Sequence, residues 1–120
     1  DVIALVDGCG VGRRNYVTAR SVGQLLIGMH REKDWSLYYS SLPIAGVDGT
    51  LKSRMVGTSA QNNVHAKTGT LSQARALSGY VTSRSGQLYV FSLLMNNFPG
   101  DARSAGTVQD QFVEWLASNL

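Results

Sequence analysis

Three strand-like runs in succession constrain this chain most. They are Val64 to Thr70, Ala76 to Thr82 and Gln87 to Asn96. In the second, Leu77, Gly79 and Val81 alternate with Ser78, Tyr80 and Thr82, the period of a strand with two unlike faces. Ser83-Arg84-Ser85-Gly86 joins the last two runs as a hairpin. From Leu88 to Met95 the third run is almost continuously apolar, the pattern of a strand central in a sheet and covered on both faces.

The flanking segments read as helices. Thr18 caps a helix of about thirteen residues whose apolar face is Val22, Leu25, Leu26 and Met29. His30, Arg31 and Lys33 suit the negative end of its dipole, so His30 reads as a surface, helix-end residue. Asp34 caps a shorter helix with Trp35, Tyr38, Tyr39 and Leu42, stopped by Pro43; its aromatics are expected to pack on the core. Gly46-Val47-Asp48-Gly49 is a turn, Thr50 to Met55 adds helical turns, and Gly57 to Asn63 is a polar loop. Ser104 or Thr107 caps a last helix presenting Val108, Phe112, Trp115 and Leu116 to the sheet. At the start, Val2 to Val6 reads as a short buried strand running into the glycine turn Asp7 to Gly12. The order α, α, β, β, β, α gives an α+β fold, an antiparallel sheet with helices packed on its faces.

Composition narrows function mainly by exclusion. Hydrophobic residues make up 43% and charged residues 16% of the chain, an ordinary globular balance. The net charge of +3 is dispersed, with no basic run interleaved with aromatics, so nucleic acid is not an expected partner. The single cysteine, Cys9, excludes an intrachain disulfide. Two histidines, His30 and His65, stand outside any ligand-spaced cluster, so no metal or cofactor is expected. Gly8, Gly10 and Gly12 do not have the dinucleotide-loop spacing, and no phosphate-loop Lys-Ser/Thr follows them. No apolar run reaches membrane-spanning length. A start at Asp1, directly before an apolar run, reads as a cut within a longer protein.

The chemistry-bearing stretch is Val64-His65-Ala66-Lys67-Thr68-Gly69-Thr70. A lone Lys-Thr-Gly is weak evidence, since a strand end with a solvated lysine and a glycine turn looks the same. Its setting sharpens it: the tripeptide lies on the first of three strands, with a helix after the last. The segments Leu5-Val6-Asp7-Gly8 to Arg20, Leu42-Pro43-Ile44-Ala45-Gly46-Val47-Asp48-Gly49-Thr50-Leu51, Ala66-Lys67-Thr68-Gly69-Thr70-Leu71 and Leu77-Ser78-Gly79-Tyr80-Val81 together resemble the C-terminal part of the class C low-molecular-mass penicillin-binding proteins, the D-alanyl-D-alanine carboxypeptidase/endopeptidase family.

The resemblance implies a partial transpeptidase-like (β-lactamase/penicillin-binding) fold. Residues 1–120 would be the C-terminal portion of that domain, truncated at its N-terminus. It implies a serine peptidase acting on peptidoglycan stem peptides ending in D-Ala-D-Ala through an acyl-enzyme that β-lactams trap, outside the cytoplasm, in the periplasm or at the cell surface. Lys67 would bring positive charge to the serine cluster, and the Thr70 backbone N–H would be one oxyanion-hole donor. Thr68, Gly69 and Thr70 would bind substrate, the hydroxyls through its terminal carboxylate and Gly69 by removing a side chain at a close approach. An exposed strand edge would also let the substrate add as a strand.

The other two motifs of such a site are Ser-x-x-Lys and Ser-x-Asn, and neither occurs in these residues. The 120 residues alone are therefore expected to be inactive, to need the N-terminal half of the same protein as a partner, and to self-associate. The family's D-G-S-G-L-S-R loop reads Asp7-Gly8-Cys9-Gly10-Val11-Gly12-Arg13 here, with Cys9 and Gly12 in place of two serines. No base partner is identifiable for Cys9, which reads as an inert thiol. The alternatives are a non-catalytic module of the same fold that binds peptidoglycan or a protein, and an unrelated α+β domain with a chance Lys-Thr-Gly. The last predicts a strand at Lys67 buried centrally, with both edges paired.

Overall fold

The computed structural model describes residues 3–12 and 14–120; Asp1, Val2 and Arg13 lie outside them. In order the elements are α1 (Ala19–His30), α2 (Trp35–Ser41), a 3-10 turn (Gly49–Leu51), β1 (His65–Leu71), β2 (Ala74–Thr82), β3 (Leu88–Asn96) and α3 (Ala102–Asn119). The sheet is antiparallel throughout, in the order β1-β2-β3. This is the α+β architecture that the patterning predicts.

Alternation divides the sheet into two faces. On one, Ala66, Leu77, Val81 and Phe91 meet Val113, Leu116 and Ala117 of α3, and the core continues into Ala45, Leu51, Met55, Ala60 and Val64. On the other, Tyr80, Leu88 and Val90 meet Leu26 and Val22 of α1 and Trp35, Tyr38, Tyr39 and Leu42 of the α2 segment. The aromatics of α2 therefore pack inward as expected: Trp35 lies edge-on to Tyr80 at 4.8 Å between ring centres. The Tyr80 hydroxyl donates to Leu26 O at 2.7 Å, and burial, with Tyr38 nearby, pushes its phenol well above the ordinary value.

Gly79 fixes how closely β1 and β2 approach. A Cβ there would stand 2.6 Å from the Ala66 Cα, a distance no side chain tolerates. Thr18 caps α1 as predicted: its hydroxyl accepts from Ser21 N at 3.0 Å while its own N–H donates to Ser21 Oγ at 3.1 Å.

Several expectations are corrected. β2, not β3, is central among the described residues. α1 covers one face of β3; on the other, Phe91 joins the core beneath α3, and most of the strand is half-buried. Ile3, Leu5 and Val6 are 54%, 69% and 56% exposed, so the described part of this segment is not a buried strand; a bridge pairs Ala4 with Tyr16. Leu25 is also exposed, leaving Leu26 and Val22 to carry the inner face of α1. Only the Gly49–Leu51 turn forms where Thr50 to Met55 suggests more helix, and the backbone reverses at Met55 with φ 58°.

The last helix starts earlier and is rotated from its expected position. Asp101 caps it, accepting from Ser104 N at 2.9 Å and Ser104 Oγ at 3.0 Å. These bonds hold its carboxyl below the ordinary value. Its buried face is Ala105, Gln109, Val113, Leu116 and Ala117, whereas Val108, Phe112 and Trp115 face outward. Small residues and a buried glutamine conceal the inner face from a hydrophobicity pattern. Among the described residues no helix is long and apolar enough to cross a membrane.

Candidate active-site strand

β1 is an edge strand over most of its length. Among the described residues its outer side is paired only at its start, where Ile44 bridges His65 and Ala66 N–H donates to Pro43 O at 3.0 Å. Backbone direction repeats every second residue, so Thr68 and Thr70 also turn N–H and C=O outward. Neither N–H has an acceptor among the described residues. This geometry removes the reading of a central strand with both edges paired.

Side chains alternate along the same strand. Lys67 and Gly69 share the α1/α2 face; Thr68 and Thr70 share the α3 face. Lys67 is exposed and bends around the free edge, its Nζ donating to Thr68 O at 2.7 Å. It thus places a positive charge on the open side of the strand while occupying one of its outward acceptors. On the opposite face the Thr68 hydroxyl donates to Thr50 Oγ1 at 2.9 Å. Thr70 is exposed and lies across from Arg75. A Cβ at Gly69 would stand 3.3 Å from the Ala76 Cβ, so the absent side chain also lets β1 sit close against β2.

The turn before β1 builds the lower part of this edge. Asp48 Oδ1 accepts from Ile44 N at 2.7 Å, fixing the turn that carries Pro43 on one side and Thr50 on the other. His65 stacks on Tyr39, with ring centres 3.9 Å apart. Its Nδ1 lies 3.2 Å from Tyr39 O; a carbonyl only accepts, so Nδ1 carries the proton. These contacts tie the end of α2 to β1 two residues before Lys67.

Sequence reasoning missed the Thr50–Thr68 pair, although Thr50 lies within a segment that carries the family resemblance. No residue pattern marks a hydroxyl pair formed between a turn and a strand. It also missed the Tyr39–His65 stack, since each residue alone reads as packing.

The glycine turn is organised by one carboxylate. Asp7 Oδ1 accepts from the Cys9 thiol at 3.2 Å, Asn15 Nδ2 at 3.0 Å, Gly10 N at 2.9 Å and Cys9 N at 3.1 Å. These hydrogen bonds, led by that of the Cys9 side chain and followed by that of Asn15, hold the Asp7 carboxyl below the ordinary value. A groove of about 490 Å³ lined by Ser59, Asn63, Ser83 and Arg84 opens at the far end of the sheet. Asn63 is bonded there to Thr82 N and O, and the groove does not reach Lys67.

Residues 1–119 match the model of the D-Ala-D-Ala carboxypeptidase 3 (S13) family. A D-alanyl-D-alanine carboxypeptidase from Actinomadura sp. (strain R39) is 46% identical over 121 residues, 96% of this chain and 22% of that protein. The crystal structure of penicillin-binding protein 4 from Haemophilus influenzae in complex with a β-lactam superimposes with a TM-score of 0.85 at 30% identity, over 97% of this chain and 29% of that one. A predatory endopeptidase from Bdellovibrio bacteriovorus shares the fold, with a TM-score of 0.71 at 19% identity. The chain thus spans about a fifth of the curated relative and under a third of the first solved structure.

Proposed function

This chain belongs to the D-Ala-D-Ala carboxypeptidase 3 (S13) family, and from that membership we propose that it supplies one wall of the acyl-enzyme site of a serine-type D-Ala-D-Ala carboxypeptidase/endopeptidase. The observation that carries the proposal is the free outer edge of β1, with the Thr70 N–H turned outward and Lys67 beside it. In this reading residues 1–120 form the C-terminal portion of a transpeptidase-like domain.

Family membership implies the roles, and the geometry is compatible with them. An acyl transfer places negative charge on the carbonyl oxygen under attack, and a preorganised N–H aimed at that position stabilises it. The Thr70 N–H has no acceptor among the described residues, and the pairing of β1 with β2 sets its direction, which suits it to that task. Thr68, Gly69 and Thr70 line the substrate, which pairs with the edge as an added strand. Lys67 then releases Thr68 O to the substrate backbone and turns its charge toward the nucleophile. The Ser-x-x-Lys and Ser-x-Asn elements come from outside these 120 residues, so the activity needs both parts.

The partners of this reading are peptidoglycan stem peptides ending in D-Ala-D-Ala, and β-lactams that acylate the same serine. The corresponding place of action is outside the cytoplasm. Self-association of the isolated chain would run through exposed apolar residues such as Phe112 and Trp115.

The test is intact-mass analysis after incubation with penicillin. The 120-residue chain is expected to gain no adduct, whereas the chain joined to the coding sequence upstream of Asp1 gains one penicilloyl group on a serine. A stoichiometric adduct on the 120 residues alone, or none on the longer product, contradicts the proposal.

A further inference from the structure

Arg75 is an anomaly of charge. It lies on β2, half-buried, with its guanidinium close to Gly106 in the second turn of α3; a Cβ on Gly106 would be 3.0 to 3.2 Å from its Nη2, Nε and Cζ. Its Nε is buried and has no acceptor among the described residues, nor does any hydrogen bond or ion pair there engage the rest of its guanidinium. A cation near the N-terminal end of a helix also meets the unfavourable pole of the helix dipole.

A second unpartnered donor lies one turn further along the same helix. Gln109 is 1% exposed, and its Nε2 has no acceptor. Its Oε1 is taken by Arg54 Nη2 at 3.4 Å. The available acceptors nearby are held by Arg54 as well: Asp110 Oδ1 receives its Nε at 2.9 Å and Nη2 at 2.6 Å, and Gly106 O receives Nη2 at 3.3 Å. Reversing the Gln109 amide does not help, because Nε2 would then face the Arg54 guanidinium. The cluster holds two guanidinium cations and one carboxylate, so it carries net positive charge and surplus donors. Buried donors and a half-buried unpaired cation are both costly, and a small anion answers both.

We propose that Arg75 Nε and Gln109 Nε2 form a binding site for a small monovalent anion, a halide or a carboxylate, at the junction of β2 and α3. The site lies on the α3 face of the sheet, the face opposite to Lys67, and does not depend on the peptidase reading. Arg75 pairs across the sheet with Thr70, so anion binding also steadies the strand that carries the free N–H.

The experiment is thermal unfolding of the chain at constant ionic strength, with chloride or acetate replacing a bulky sulfonate. A rise in Tm on the order of 4 °C is expected at an anion concentration about tenfold above its dissociation constant. A response to chloride alone assigns a halide, and a response to acetate alone a carboxylate; each supports the site. Gln109→Glu supplies an internal carboxylate beside Arg54 in the proposed site, so this variant should have a higher Tm and no anion response. Where chloride gives the response, the chloride-35 NMR line should broaden with the wild-type chain and not with Arg75→Met, a check independent of that variant. No anion response in the wild type means that water satisfies these donors and overturns the proposal, as does an equal response in Gln109→Glu.

Discussion

Thr68 donates its hydroxyl to Thr50 across 2.9 Å, linking the strand with the free edge to the turn that precedes it. The bond lies on the face opposite to Lys67, so it fixes β1 without blocking its outer edge. Replacing either threonine by valine removes one partner and keeps the shape. A double-mutant cycle of Thr50→Val and Thr68→Val should give a coupling of about 0.5–1.5 kcal/mol in urea unfolding; zero coupling would show that the turn and the strand are held independently.

Gly79 sets the spacing between β1 and β2, since a Cβ there would meet the Ala66 Cα at 2.6 Å. The obstacle is backbone and cannot swing away. Gly79→Ala is expected to destabilise the chain by about 1–3 kcal/mol. Hydrogen exchange should speed up along β1 and β2 more than along α1.

Tyr80 gives the chain an alkaline limit. Burial raises its phenol pKa in the folded state. A group whose folded pKa is raised contributes stability in full below its unfolded value and loses it as pH rises toward the folded one. Stability should therefore begin to fall above about pH 10, the ordinary tyrosine value. Tyr80→Phe should flatten that fall while costing about 1 kcal/mol at neutral pH through the lost bond to Leu26 O. Urea unfolding of both proteins between pH 7 and 11 checks the two effects together.

The face of α3 is the clearest divergence between pattern and packing. Val108, Phe112 and Trp115 form the apolar stripe a helical reading selects, yet Val113, Ala105, Ala117 and Gln109 face the sheet. A hydrophobicity pattern weighs side-chain size, whereas close helix-on-sheet packing at this contact uses small residues. Phe112→Ala should change stability by no more than about 0.5 kcal/mol, and Val113→Ala should cost about 2 kcal/mol. The reverse order in thermal unfolding would restore the larger stripe as the inner face.

The three strands, their hairpin and the capping of α1 were legible because each has a local cause: alternation in β2, a turn between β2 and β3, and a hydroxyl at Thr18. The Lys67-Thr68-Gly69-Thr70 stretch was legible as chemistry through residue types at fixed spacing. What escaped reading depends on contacts between distant segments. Thr50 meets Thr68, Tyr39 meets His65, and Arg75 comes to rest on Gly106 only once the sheet and helices assemble. That β3 pairs on one side only among the described residues escaped for a related reason: lateral pairing leaves no mark on an apolar run.

The central claim is that β1 is the substrate-side wall of an acyl-enzyme site, and Lys67 tests it most directly. The measurement is the second-order rate of penicillin acylation, by intact mass, for the product that joins this chain to the coding sequence upstream of Asp1, as wild type and as Lys67→Ala. Loss of electrostatic stabilisation at such a site typically costs about 10²-fold or more, so the account predicts a loss of at least that size with the fold intact by circular dichroism. Acylation of Lys67→Ala at the wild-type rate would contradict it.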